Sequence, residues 1–218
     1  ERRAVRLFWP LQAMVVLEVA LFPVAMTSRR PAVFVAVWLA WVGLAVCAAL
    51  AVASLRAFAQ PRFVVPRLSP LAFVRAAHVW LGVSLAMLVA GPFWSRLVGV
   101  PFSHAWHGAT RHAITVGFVS LMIVGVASRV APRPPGTSAD AEAMPLAPFV
   151  LLNLGCTLRV TQQVLTDLTP MAFPTAGVSG LLEVSGLAWW ATWIVPRLLA
   201  AGRPQGGRVG AAPGAARG

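Results

Sequence analysis

The chain has 218 residues, of which 58% are hydrophobic and only 11% charged, with a mean hydropathy of +0.76; a water-soluble domain of this length carries far more charge. The formal net charge of +12 suggests a nucleic-acid binder at first sight, but every basic side chain is an arginine and most flank apolar runs instead of lining one soluble face. That is how topogenic charges are placed in a membrane protein, and it argues against a nucleic-acid partner.

In chain order, hydropathy predicts an all-α polytopic membrane domain over residues 1–199. It has six transmembrane helices, at 5–26, 32–55, 74–94, 107–128, 148–167 and 178–195. Each run approaches the roughly 20 apolar residues that a bilayer requires. Within 32–55 the only ionisable group is the thiol of Cys47. The breaks fall at Pro- and Gly-rich stretches: 28–31, 60–70, 99–101, 132–148 and 169–177. Proline and glycine end helices where the freed backbone groups reach water.

Six spans place both termini on one side, with thirteen arginines there against four on the other, Arg159 lying within a span. The positive-inside rule then makes the termini cytoplasmic, as in a bacterial-type inner membrane, with membrane lipids as the surroundings. The Gly/Pro/Ala/Arg segment 200–218 lacks an apolar pattern and is expected to be a disordered cytoplasmic tail. The chain starts at Glu1 rather than Met, so it is expected to begin inside a longer product. The first apolar run is of spanning length and has no small-residue cleavage site, so no cleavable signal peptide is recognised. Cys47 and Cys156 lie in apolar spans outside any metal or haem-attachment pattern, and read as small buried hydrophobes.

Three of the four histidines fall in His-Ala-Trp-His-Gly-Ala-Thr-Arg-His, residues 104–112, at the mouth of the fourth span. Imidazole suits zinc, copper and haem iron, so His104, His107 and His112 form a candidate metal set. A continuous helix turns about 100° per residue, which points His107 and His112 about 140° apart. They could then share one ion only if residues 104–107 form a loop folded over a helix beginning near Gly108. Interfacial amphipathy accounts equally for His104, His107 and, near the other interface, His78. His112 lies inside the apolar run, where its ring nitrogens need partners.

Further polar groups lie within spans: Glu18 in the first, Arg159 in the fifth and Glu183 in the sixth. Counting about 1.5 Å per residue from the helix ends puts them and His112 within about 6 Å in depth. A polar cluster follows if the helices face one another. It would serve either as a ligand site or as an ion pair between Arg159 and a glutamate that fixes packing.

The segment Arg-His-Ala-Ile-Thr-Val-Gly-Phe-Val-Ser-Leu-Met-Ile-Val-Gly-Val-Ala-Ser-Arg-Val, residues 111–130, resembles the signature of the NnrS family. These are polytopic membrane proteins associated with haem, copper and nitric-oxide stress. His112, Thr115, Val116, Gly117, Met122 and Arg129 occupy the motif positions. Residues 148–160, with Asn153 and Arg159, look like the family's following helix, and 179–198 like its last. The resemblance covers residues 73–199 and corresponds to the family's C-terminal half. Where the family continues with a Gly-His-Thr-Gly-Arg-like element, this chain reads Ala-Pro-Arg-Pro-Pro-Gly-Thr and lacks the second histidine.

The resemblance implies haem b or copper bound through His112, with Arg159 and Glu183 completing a cofactor site in nitric-oxide or respiratory metal physiology. The alternatives are a cofactor-free accessory subunit packing against a larger respiratory or membrane complex, and a small-solute transporter. No Ser/His/Asp arrangement, glycine-rich phosphate loop or carboxylate pair over a polar cleft points to an enzyme.

Overall fold

The computed structural model describes residues 2–28, 30–55, 58–59, 68–131 and 143–201. The proposed tail lies outside them apart from its first two residues, as does most of the 132–148 connection. The described residues form six long helices and no strand: α1 (Arg2–Ser28), α2 (Pro31–Leu55), α3 (Pro70–Leu97), α4 (His104–Val130), α5 (Leu146–Leu165) and α6 (Ala172–Ala201). Helix is what an apolar solvent demands, because each backbone polar group must find its partner within the segment. The apolar runs identify the helices, and local chemistry sets their ends. Pro70 occupies the first turn of α3, where its missing N–H costs nothing. Gly99, at φ 75°, takes the left-handed turn just beyond α3. Ser103 caps α4, its Oγ accepting from the Trp106 N–H at 2.9 Å. That cap makes His-Ala-Trp-His the first turn of α4, so the loop that would have folded over the helix mouth does not form.

Five helices are long and apolar enough to cross a membrane: Phe8–Ser28 within α1, α2, α3, α4 and Ala172–Leu199 within α6. The protein is a multi-pass membrane protein. The remaining predicted span is a helix, α5, but Asn153, Arg159, Gln162 and Gln163 keep it off that list of five. Its polarity is tolerated because α5 packs on both α4 and α6, burying a stripe of Leu152, Gly155, Cys156 and Val160.

Burial is arranged for lipid. Val16, Val35, Leu39, Val79, Ile123, Leu181 and Val184 are exposed, whereas Ser84, Thr110, Ser128, Ser179 and Glu183 are buried, the reverse of a water-soluble core. The helices pack in chain order, each against its neighbour. Five indole N–H groups stitch them together. Trp38 donates to the Val89 carbonyl (3.0 Å), Trp80 to Asn153 Oδ1 (3.0 Å), Trp94 to Asp167 Oδ2 (2.8 Å), Trp106 to the Met87 carbonyl (2.7 Å) and Trp190 to Ser128 Oγ (2.9 Å). Such bonds between helices average about 0.6 kcal/mol in a membrane, so together they set positions more than they supply stability.

Helix α4 is not uniform. His104–His112 and Leu121–Val130 are α-helical, but Ala113–Ser120 between them is π-helical. Ser120 Oγ donates to the Thr115 carbonyl five residues back (3.1 Å), matching the wider turn. Gly117 in this segment lies so close to Trp80 that a Cβ would stand 2.6 Å from the indole. π-Helical stretches are rare and frequently occur at functional sites.

α5 and α6 approach closely at Gly155, where a Cβ would lie 2.7 Å from Glu183 Cγ and 3.0 Å from the Ser179 carbonyl oxygen. Gly155→Leu is expected to force α6 away and cost about 1–3 kcal/mol. Gly82→Ala, with nothing within 4 Å of the new methyl, is expected to be neutral or slightly stabilising. Reversible unfolding in mixed micelles measures both.

Candidate functional site

His112 is the last residue of the first α-helical part of α4, immediately before the π-helical turns. Its Nε2 donates to Glu183 Oε1 of α6 at 2.7 Å. The side chains are 21% and 11% exposed, so the pair is largely withdrawn from the surroundings. Two features of the sequence bring it about. The absent side chain at Gly155 lets α6 close on α5, and Ser179, one turn before Glu183, is buried with its hydroxyl donating to the Ala176 carbonyl (2.6 Å).

The same Ala176 carbonyl accepts from Arg159 Nη1 of α5 at 3.1 Å. Arg159 Nε is buried without a partner. Arg159 follows Gly155 by one helical turn on α5, and the Ala176 that its guanidinium bonds is seven residues before Glu183 on α6. Arg159 makes no ion pair with Glu183. Glu18 stands on α1, which packs on α2, and has no hydrogen bond or ion pair among the described residues. Of the four polar groups expected to cluster by depth, the structure joins His112 and Glu183, places Arg159 on the neighbouring helix and leaves Glu18 apart.

The other histidines go elsewhere. The His107 ring stacks on Phe22 of α1 (5.2 Å between centroids, 12° between planes) and lies near Trp41 of α2 (6.3 Å, 26°). His104 meets Phe102 edge-on at 5.0 Å. His78 donates from Nδ1 to its own helix, at the Val74 carbonyl (2.7 Å). His104, His107 and His112 therefore face three different surroundings. Among the described residues, no group of three or more His, Cys, Asp or Glu side chains could hold a metal ion. Cys156 is buried and Cys47 partly so, each a free thiol.

Two clefts open at the end of the bundle that carries the short α3–α4 and α5–α6 connections. One, of about 540 Å³, lies between α1, α2, the end of α3 and the start of α4, and includes His107. The other, of about 610 Å³, is lined by His104, Arg159, Gln163 and Asp167 among others. His112 lines neither. A polar knot holds this end together: Asp167 accepts from Trp94 Nε1 and from Ser103 Oγ (2.5 Å), and the Ser103 N–H donates to Ser95 Oγ (3.0 Å).

Gly155, Asp167 and the indole bridges position the helices around these residues, and their partners are not marked in the sequence. A small residue on one polar span and a carboxylate at mid-span on the next were visible together, and pairing them as a close approach was the available signal. Nothing local in the sequence pairs Trp80 with Asn153, 73 residues apart.

No family model, curated protein or solved structure matches the chain.

Breaking either half of the His112–Glu183 pair strands a buried polar group. Singly, His112→Ala and Glu183→Ala are each expected to cost about 1–3 kcal/mol. In a double-mutant cycle the two should couple by about 1 kcal/mol or more. Additive effects in the same unfolding assay would mean that the bond contributes nothing.

Proposed function

We propose that the protein is an NnrS-like integral membrane protein of a bacterial-type inner membrane, with α5 as a sixth span and both termini cytoplasmic. In this proposal it holds haem through His112 in nitric-oxide or respiratory metal physiology. One observation carries the proposal. His112, the histidine on which the resemblance turns, is braced by a carboxylate from α6, and both belong to the three helices that resemble the family. An imidazole that ligates a metal through one nitrogen commonly donates from the other to a carboxylate, which fixes the tautomer and raises ligand basicity. With Nε2 engaged by Glu183, Nδ1 is the nitrogen left to ligate.

The chemistry of the donor set separates the two cofactors that the resemblance implies. A bare copper ion needs several protein ligands, and no such group stands among the described residues. A haem supplies most of its iron's ligands itself and would need few from the protein, a part that His112, braced by Glu183, would take. Arg159, with Nε buried and unpartnered on the neighbouring helix, would offset the charge of a propionate. When bound, haem supplies an iron centre for a diatomic ligand or one-electron transfer. The chain's own residues orient the imidazole, balance charge and keep water out through the surrounding apolar wall.

Purified full chain titrated with haem in detergent is expected to develop a Soret band at one haem per chain. His112→Ala should lose it, and Glu183→Gln, which preserves shape and removes the anion, should keep a weakened site. No Soret band in the unsubstituted protein, or full occupancy in His112→Ala, would overturn the proposal.

Glu18 favours a second role, that of a subunit in a larger membrane complex. A carboxylate within a span needs a partner, and none of the described residues bonds it. Comigration with a larger assembly in mild detergent, lost in Glu18→Leu, is the signature of that role.

A further inference from the structure

The cleft between α1, α2, α3 and the start of α4 takes no part in the His112–Glu183 site. Its wall is apolar and largely aromatic: Phe22, Trp38, Trp41, Phe102, Trp106 and His107 all line it. The Phe22 and His107 rings are nearly parallel in their stack, and Phe102 inclines toward both, at 5.9 Å from Phe22 and 5.4 Å from His107. Flat walls of this kind accommodate flat rings. A volume of about 540 Å³ falls within the ordinary range for small-molecule pockets, about 300–1,000 Å³.

Two nitrogens in this wall are anomalous. Trp41 Nε1 and His107 Nε2 are both buried without a hydrogen-bond partner, and Trp41 as a whole is only 6% exposed. Five other indoles, those of Trp38, Trp80, Trp94, Trp106 and Trp190, are each bonded. A buried donor left unsatisfied is costly, and in lipid no water offsets it. An indole N–H can only donate, so whatever satisfies Trp41 brings an acceptor oxygen or nitrogen. His107 Nε2, with its ring against that of Trp41, can meet the same ligand as donor or acceptor according to tautomer.

Access is from the membrane. Val35 and Phe93 line the cleft and are also strongly exposed on spanning helices, so its mouth faces acyl chains. Arg96, at the end of α3, marks the level at which the span ends.

We infer that this cleft binds a membrane-soluble, flat-ringed molecule bearing carbonyl acceptors, the chemistry of the quinones, with a carbonyl oxygen accepting from Trp41 and the ring stacked among Phe22, Phe102 and His107. A phospholipid ester carbonyl offers the same acceptor without the ring, so the test separates the two.

Full-length protein in nanodiscs made from ether-linked phospholipid is titrated calorimetrically with a short-chain benzoquinone, with empty nanodiscs as the blank. Saturable binding at one molecule per chain is expected, weakened about tenfold by Trp41→Phe, which keeps a ring and removes the donor. His107→Phe should weaken it similarly. Trp41→Phe also removes an orphaned donor, so its unfolding stability without ligand should equal or exceed that of the unsubstituted chain, which keeps a folding defect from imitating a binding defect. The inference is overturned by the absence of saturable binding. It is equally overturned by undiminished affinity in both variants, or by binding in ether-linked nanodiscs that disappears in ester-linked ones, which would assign the site to a lipid carbonyl. Because the cleft does not include His112, loss of haem binding in His112→Ala leaves this titration unchanged.

Discussion

A carboxylate cannot be left unpaired in an apolar interior, and the way Glu183 is satisfied organises the second half of this molecule. Its partner, His112, is on a helix two places earlier in the chain, so the bond ties α4 to α6 across one edge of α5. For Glu183 to reach, α6 must lie almost against the α5 backbone, and Gly155 is the residue that permits it. Arg159 then falls one turn along, its guanidinium anchored on the Ala176 carbonyl. α5, whose apolar run is broken by Asn153, Arg159, Gln162 and Gln163, buries one stripe against α4 and α6 and leaves Leu146, Val150 and Leu154 exposed.

The π-helical turns of α4 fit the same constraint. A wider turn alters the angular register between the parts it joins. Before it, His112 faces α6; after it, Leu121 and Val124 pack with Phe73 and Ala77 of α3, while Ser128 receives the Trp190 indole from α6. Gly117 within the segment allows Trp80 to lie against it, and Trp80 in turn bonds Asn153 of α5. Residues quoted for the family resemblance thus meet around one irregular helix. The first two helices, outside the resemblance, contribute Phe22, Trp38 and Trp41 to the aromatic cleft.

Much of the fold was legible because bilayer length and apolarity are properties of contiguous sequence. All six predicted spans are helices; α1, α3, α4 and α6 run two to six residues beyond the predicted ends, α2 gains only Pro31, and α5 begins two residues early and ends two residues short. Ser103 sets the start of α4, since its cap converts a segment that could have been a loop into helix. α5 was read as one span among six, yet its composition sets it apart from the five apolar ones. Depth was legible in the candidate site as well, by counting along helices. Azimuth between helices was not. Glu18, Arg159, Glu183 and His112 lie at similar counted depths, but which of them meet depends on close approaches such as Gly155. The separation of His107 from His112 follows from 100° per residue. Their surroundings, Phe22 and Trp41 for one and Glu183 for the other, come from contacts 66 to 85 residues distant in sequence.

Glu183 holds the His112 imidazole through Nε2, which leaves Nδ1 as the nitrogen that the proposed haem would engage. Nitrogen-15 NMR of histidine-labelled protein in lipid, with His112 assigned by its loss in His112→Ala, tests this most directly. The account predicts a protonated Nε2 and an unprotonated Nδ1, with Nδ1 alone losing its free signal when haem is added. A protonated Nδ1 in the haem-free protein, or a spectrum of His112 unchanged by Glu183→Gln, would contradict it.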